Sequence, residues 1–276
     1  MDMNTESLAA WDRNAEFWDK NMGDDGNDYY KIVEVPVLQR MAGVRDGDRA
    51  LDIATGNGLA ARWLASQGAS VLATDGSKTM LEYGKRRAAG MNSITFELLD
   101  VTSSEAFERF IEKETANHGL FDIVVVNMAI MDISTLEPLA AALPRLLKKG
   151  TGRFVATILH PLMTAGITRL VEFSDDQATG REQKHRSIKL SKYLHVPPQK
   201  GVATKGQPFH QYHFHRPIHE LLAPFLRSGL VLDALEEPNF DEDYVASNDL
   251  DDRSLRTLTQ IPKILAFRLR TVDGIS

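Results

Sequence analysis

The sequence predicts an α/β fold, a doubly wound and mostly parallel sheet of seven strands with helices on both faces. Two observations predict it. Nearly continuous apolar runs at residues 51–54, 71–74, 94–99, 123–126 and 154–159 alternate with helix-length segments at about 59–67, 78–89, 104–117 and 136–148. Strands that are apolar throughout and joined by helices belong to a parallel sheet covered on both sides. The first run also ends in a glycine-rich turn, Ala54 to Gly58, that feeds a helix directly. Such a turn offers bare backbone N–H groups and the positive end of a helix to a ligand, and Gly56 and Gly58 remove side chains that would hold it away.

Ahead of the sheet, residues 6–20 read as an amphipathic helix, with Leu8, Trp11, Ala15 and Trp18 at helical spacing. A loop follows at residues 22–28, and residues 29–41 read as a second helix that Pro36 kinks or breaks. Within the alternating region the strands end in polar residues: Asp75 after the second, Asp100 after the third, Asn127 on the fourth. An acid at the tip of the second strand is placed to accept hydrogen bonds from the two ribose hydroxyls of an adenosine. With Asp52 at the end of the first strand, four polar strand tips in succession describe a cofactor crevice at the carboxyl edge of the sheet. After His160 and Pro161 the regularity lapses for some fifty residues, with a turn-rich loop at 197–208. Order returns in a helix at about 217–228, a strand at 230–236, an acidic loop at 239–252 and a last strand at 264–270.

A chain of 276 residues suits one α/β domain with a decorated cap. The formal charge of −6 argues against a nucleic-acid enzyme, which needs a basic face, and the basic stretch at 181–192 reads as a solvated surface. The absence of cysteine excludes disulfides, cysteine nucleophiles and Cys-ligated metal. With no apolar signal core and no run of membrane-spanning length, the expectation is a cytoplasmic monomer or homodimer with no membrane partner.

The run from Leu51 to Gly58, the acids Asp75 and Asp100, and the stretch from Phe121 to Asn127 resemble the class I S-adenosylmethionine-dependent methyltransferases, in their small-molecule branch. The likeness extends to the opening from Trp11 to Gly23, to Ile158–Pro161 and to Phe214–Pro217, with only a loose match between Leu162 and Tyr212. The resemblance implies a helical lid at 1–45, a Rossmann-like core at 46–160, a substrate cap at 161–216 and a completion of the core sheet at 217–276, with the last strand antiparallel beside the fifth. S-adenosylmethionine would be the cofactor and S-adenosylhomocysteine its product. The Gly56–Gly58 turn would wrap the methionine end, Asp52 would position the turn and the cofactor's amino group, and Asp75, followed by Gly76, would hold the ribose. Asp100 would accept from the adenine amino group with Val101 packed on the ring. Met80 stands at the position that packs on adenine, or is plain helix core. Ala54 replaces the family's usual first glycine, for which a slightly tighter turn with binding retained is expected.

Methyl transfer from a sulfonium asks the protein mainly for positioning and for removal of one proton from the acceptor. His160, just past the fifth strand, is a candidate general base that titrates near neutrality; the other reading is a histidine that caps the strand end and fixes the Pro161 turn. Asn127 would orient the acceptor or bind the cofactor's carboxylate end, or else stabilise its own turn. His210, His213, His215 and His219 crowd ten residues. An extended backbone puts His213 and His215 on one side and Tyr212 and Phe214 on the other. They would form a substrate wall or pack the cap; no metal is expected, since no matching carboxylate motif accompanies them. His215 is the third catalytic candidate, because His-Arg-Pro opens the next helix, while His210 and His213 are assigned to substrate contact. Tyr29 and Tyr30 would close over the substrate from the lid, and Met128 and Met131 would line an apolar acceptor pocket or serve as core.

The expected activity is therefore methylation of an oxygen, or of a nitrogen, on a small acceptor of aromatic or apolar character. One rival is a methyltransferase-like cofactor-binding protein with a non-methylating or regulatory role. Another is an NAD-dependent oxidoreductase, disfavoured because Leu59-Ala60-Ala61 follows Gly58 where a full dinucleotide fingerprint needs a further glycine.

Overall fold

A computed structural model of the chain describes residues 2–252 and 254–271, so the last five residues of the expected C-terminal segment lie outside the described residues. Helix α1 (Met3–Met22) opens it, capped by the Asp2 carboxylate, which accepts from the Thr5 N–H. A π-helical turn, Tyr29–Glu34, runs straight into α2 (Val35–Ala42). Pro36 sits in the first turn of α2, and the expected break falls there as a change from π to α winding.

The core then alternates as its apolar pattern demands: β1 (Arg49–Ile53), α3 (Leu59–Ser66), β2 (Ser70–Asp75), α4 (Lys78–Arg87), β3 (Ile94–Leu98), α5 (Ser104–Asn117), β4 (Ile123–Asn127), α6 (Glu137–Leu146) and β5 (Arg153–Leu159). After a single turn, α7 (Pro161–Thr164), come β6 (Thr168–Asp175), β7 (Glu182–Lys189), β8 (Gln199–Gly201) and β9 (Gln211–His213). The chain closes with α8 (Ile218–Arg227), β10 (Leu230–Glu236), α9 (Glu242–Ser247) and β11 (Ile264–Thr271).

The main sheet has seven strands in the order β10-β11-β5-β4-β1-β2-β3. β1 to β5 are parallel, and β11 lies antiparallel between β5 and β10. Strand order reverses between β1 and β4, which opens a crevice at their carboxyl ends. Each strand divides its residues between two cores. Leu51, Ile53, Val124, Val126, Phe154, Phe225 and Phe267 pack on one face. Ala50, Val71, Ala73, Ile123, Val125 and Val155 pack on the other, against Val37, Leu38 and Met41 of α2. Alternation of period two on a sheet buried on both faces produces the continuous apolar runs of the sequence.

The cap departs from its reading as irregular chain. β6 and β7 form an antiparallel hairpin of eight paired positions, and β8 pairs with β9. The hairpin lies largely in solvent, with Phe173 exposed, so its strands carry no apolar face that the sequence would betray. Tyr212 and Phe214 stack with centroids 5.8 Å apart, as extended backbone requires. No helix among the described residues is long and apolar enough to cross a membrane.

Candidate active site

The turn after β1 is built on three left-handed residues, Ala54 (φ 56°), Gly56 (φ 57°) and Gly58 (φ 82°). Ala54 thus adopts the conformation that a glycine takes at little cost, and an alanine pays for it sterically. The Gly56 N–H donates to Asp75 Oδ2 at 2.8 Å, and the Thr55 N–H to the Thr74 carbonyl at 2.9 Å, so the turn is hung on the β2 tip. A Cβ at Gly56 would meet nothing within 4 Å, which leaves space above the turn for a ligand. At Gly58 a Cβ would make only ordinary contacts, 3.5 Å from Gly84 Cα and 3.7 Å from the Phe96 ring, so its left-handed backbone is what favours glycine there. Gly76 admits the lid: its Cβ would fall 2.6 Å from Leu8 Cδ2.

Asp52 is buried just below the turn. Its Oδ2 accepts from Thr55 Oγ1 at 2.5 Å, while Oδ1 is buried without a hydrogen-bond partner. Burial, against the Thr55 hydrogen bond and with the nearby Asp75 charge, pushes its pKa up to about 7. Asp75 also accepts from the Ser77 N–H at 2.8 Å, and burial lifts its pKa to about 6 against these backbone donors. At the β3 tip, Asp100 Oδ1 accepts from the backbone and hydroxyl of Thr102, and Oδ2 from Asn4 of the lid at 3.0 Å. Each carboxylate oxygen has two lone pairs, so Asp100 keeps capacity for a further donor. Val101 and Met80 are both buried, Val101 in the main core.

Helix α1 straps these tips together. Asn4 reaches Asp100, Leu8 presses on Gly76, Asp12 accepts from Ser77 Oγ (2.5 Å) and the Thr79 N–H (3.2 Å), and Asp19 accepts from Asn57 and pairs with Arg87 at 2.6 Å.

At the β4 tip the Asn127 amide is doubly held. Its Oδ1 accepts from Thr157 Oγ1 at 2.6 Å and its Nδ2 donates to Glu34 Oε2 at 3.0 Å. Glu34 is buried, and burial pushes its pKa up to about 7 despite the Asn127 hydrogen bond. Tyr30, one π-turn before it, is buried with its hydroxyl unpartnered; burial and the neighbouring Asp52 and Glu34 charges raise its pKa. Tyr29 packs edge-on against Phe240, centroids 4.8 Å apart, in an apolar group with Val33, Ile264, Leu159 and Met128. Met128 itself stands at φ 53°, with its N–H donating to the Thr157 carbonyl at 2.9 Å.

The histidines separate. His160 Nε2 faces Glu237 Oε1 at 2.8 Å and Nδ1 accepts from the Leu162 N–H at 3.2 Å, so the residue caps the turn after β5. Its burial lowers its pKa against the pull of Glu237. His215 has Thr164 Oγ1 at 2.9 Å on Nδ1 and the Tyr193 carbonyl at 2.6 Å on Nε2, so both ring nitrogens are committed to holding the cap. His213 and His215, expected on one side of an extended segment, have different surroundings. His210 is exposed. His213 Nδ1 lies 3.2 Å from the buried Asp132 Oδ1, within ion-pair reach but without hydrogen-bond alignment. Its Nε2 has no hydrogen-bond partner among the described residues. Asp132 follows Met131 in a 3₁₀ turn directly after the β4 tip, and also accepts from Gln211 at 3.1 Å. The Met131 carbonyl accepts from the Phe214 N–H at 2.7 Å and ties the cap to this turn. Burial works against a charged His213, but the Asp132 carboxylate outweighs it and raises the pKa.

The structure thus gathers Asp52, Ala54, Gly56, Asp75 and Asn127 with Tyr30 at one crevice, and places His160 and His215 in structural hydrogen bonds. Sequence reasoning missed Glu34 and Asp132. Both had a signal, a single acid at the end of an otherwise apolar stretch: Ile32-Val33 before Glu34, and Met128 to Met131 before Asp132.

Residues 50–150 match the family model described as a methyltransferase domain. Over 99 residues the chain is 36% identical to the demethylmenaquinone methyltransferase of Clavibacter sepedonicus, covering 36% of this chain and 39% of that protein. Over 127 residues it is 34% identical to the ubiquinone biosynthesis O-methyltransferase of Brucella anthropi, covering 44% of this chain and 46% of the relative. The chain therefore spans less than half the length of these relatives. Among solved structures, an S-adenosylmethionine-dependent methyltransferase from Mesorhizobium loti superposes with a TM-score of 0.62 at 24% identity, over 86% of this chain and 97% of the other.

Proposed function

We propose, from the premise that the core of this chain is a class I S-adenosylmethionine-dependent methyltransferase domain, that the protein methylates an oxygen or nitrogen of a small ring-bearing or apolar acceptor. The observation that carries the reading is the β1 turn: left-handed at Ala54, Gly56 and Gly58, open above Gly56, and underlaid by an Asp52 oxygen that has no partner. These residues fit the methionine end of S-adenosylmethionine, with Asp75 and Asp100 at the tips that would take ribose and adenine. When bound, the cofactor supplies an electrophilic methyl: the acceptor–carbon bond forms as the carbon–sulfur bond breaks, and its electron pair stays on sulfur.

The chain's own share is to hold the acceptor in line and take its proton. Tyr29, Met128, Leu159 and Phe240 give the β4–β5 end an apolar wall. The names of the two relatives, a demethylmenaquinone methyltransferase and a ubiquinone biosynthesis O-methyltransferase, support a ring-bearing acceptor. For the proton we assign His213, whose Nε2 is free to accept it while Asp132 stabilises the imidazolium that results. We assign His160 and His215 to the supporting structure, and Asn127 to orienting the site.

Calorimetric titration with S-adenosylhomocysteine, with NAD as control, tests the cofactor assignment; micromolar binding of the first and none of the second is expected. Transfer of labelled methyl to phenols and amines then tests the acceptor class. His213→Gln is expected to lower kcat by roughly 10²–10⁴ with S-adenosylhomocysteine affinity unchanged. In Asp132→Asn the rise of rate with pH should begin at lower pH, because the group that raises the His213 pKa is gone. A folded protein that ignores S-adenosylhomocysteine would remove the basis of this reading.

A further inference from the structure

Glu34 and Asp52 are buried carboxyls that come from different parts of the chain, and among the described residues neither is paired with a cation. The Tyr30 hydroxyl lies within electrostatic reach of both. Tyr30 is more than nine-tenths buried, and neither its hydroxyl nor Asp52 Oδ1 has a partner. Desolvated polar groups left unpaired in this way cost stability unless a ligand satisfies them. The charged groups facing the cluster offer no internal remedy. Asp75, from the β2 tip, adds negative potential at Asp52. Arg62, from α3, influences Tyr30 but spends its guanidinium on the carbonyls of Asn57, Gly23 and Asp24. The Asn127 amide donates to Glu34 and is itself held by Thr157. The lid element that carries Tyr30 and Glu34 is π-helical, a rare winding that recurs at functional sites, and it puts both side chains inward.

We propose that Glu34, brought in by the lid, completes with Asp52 and Tyr30 a cradle for a compact organic cation, the ammonium of the cofactor's amino-acid end, and that loading this cation expels a proton from the cradle to solvent. The inference rests on the methyltransferase reading and adds to it a lid carboxylate that makes cofactor capture depend on pH. Without the cation, burial keeps the two carboxyls partly protonated near neutrality, with both pKa values at about 7. A bound ammonium favours the carboxylate form, so it binds the deprotonated cradle better, and by linkage its arrival releases a proton.

The test is calorimetric titration of the full chain with S-adenosylmethionine in two buffers of different ionisation enthalpy, from pH 6 to 8. Wild type is expected to release about one proton near pH 7, half from each carboxyl, and to bind up to about a hundredfold more tightly at pH 8 than at pH 6. 5′-Methylthioadenosine, which lacks the amino-acid end, should bind with no proton release. Glu34→Gln, which keeps the size and one hydrogen-bonding oxygen, should lose most of the gain at pH 8 and change little at pH 6. Proton release and pH dependence that persist undiminished in Glu34→Gln overturn the role of Glu34. Binding of S-adenosylmethionine with no proton release in wild type overturns the cradle while leaving the methyltransferase reading intact. Failure of folded protein to bind either nucleoside overturns both.

Discussion

At the scale of single residues the site shows a tension between conformation and identity. Ala54 is held at φ 56°, where a Cβ is crowded by its own backbone, in a turn whose other two left-handed positions are glycines. The conformation is enforced by the hydrogen bonds that hang the turn on β2, through Thr55 and Gly56. Replacing Ala54 with glycine removes the steric cost of about 1–2 kcal/mol, and gives part of it back through a more flexible unfolded chain. Ala54→Gly is therefore expected to stabilise the fold by up to about 1 kcal/mol and to leave S-adenosylhomocysteine affinity within about twofold. Chemical denaturation with the two proteins side by side checks it, and a loss of stability would show that the turn is not strained there. Gly26 poses the opposite case. A Cβ on it would come within 2.3 Å of the Tyr30 ring, so this glycine is what allows Tyr30 to lie inward at the cradle.

At the scale of elements, α1 ties the strand tips into one unit. Its docking at the β1 turn depends on Asp19, which accepts from Asn57 Nδ2 at 3.2 Å and from two nitrogens of Arg87 at 2.6 and 2.9 Å. Burial alone would lift the Asp19 pKa, but the Arg87 and Asn57 donors hold it below the ordinary value. Asp19→Ala leaves the half-buried Arg87 with the exposed Asp24 as its ion-pair partner, and should cost about 1–3 kcal/mol. Limited proteolysis should then cut α1 well before the core, and S-adenosylhomocysteine should protect less than in wild type; an unchanged digestion pattern would show that the strap holds without this anchor. The elements differ in how plainly the sequence displayed them. β1, β2, β4, β5 and β11 were legible because a sheet covered on both faces writes itself as apolar runs, the edge strands β3 and β10 because they keep apolar residues even where these are exposed, and α8 because one face is buried on Phe154 and its neighbours. The β6–β7 hairpin was illegible because neither face is buried. The cofactor edge could be read from Asp52, Asp75 and Asp100 by position alone. The acceptor side could not, since the environments of His160, His213 and His215 depend on Glu237, Asp132 and Tyr193, partners distant in sequence.

At the scale of the whole molecule, the buried acids set the pH at which the free protein is most stable. Glu34, Asp52 and Asp75 all have folded pKa values above their ordinary ones, at about 7, 7 and 6, chiefly through burial. Between pH 4 and 7 the folded state therefore binds more protons than the unfolded state. Stability then falls as pH rises, because deprotonation charges groups that the fold has desolvated. His213 and His160 shift in opposite directions, upward and downward, so near pH 6.5 their contributions oppose each other. Salt-bridged carboxylates such as Asp19 and Asp122, whose pKa values are lowered, act at lower pH: their stabilisation is present above the unfolded value and is lost on acidification. The free protein is thus expected to be most stable near pH 5 and to lose on the order of a few kcal/mol by pH 8, a fall in Tm of roughly 5–10 °C. S-adenosylmethionine should flatten the curve, since its ammonium compensates the charges that the rising pH creates, and its stabilising shift should be larger at pH 8 than at pH 6. Differential scanning fluorimetry across this range, with and without the cofactor, decides the matter. A Tm that is flat or rises from pH 5 to 8 in the free protein would mean that the buried acids are satisfied from within, by contacts that leave no electrostatic need for a bound cation.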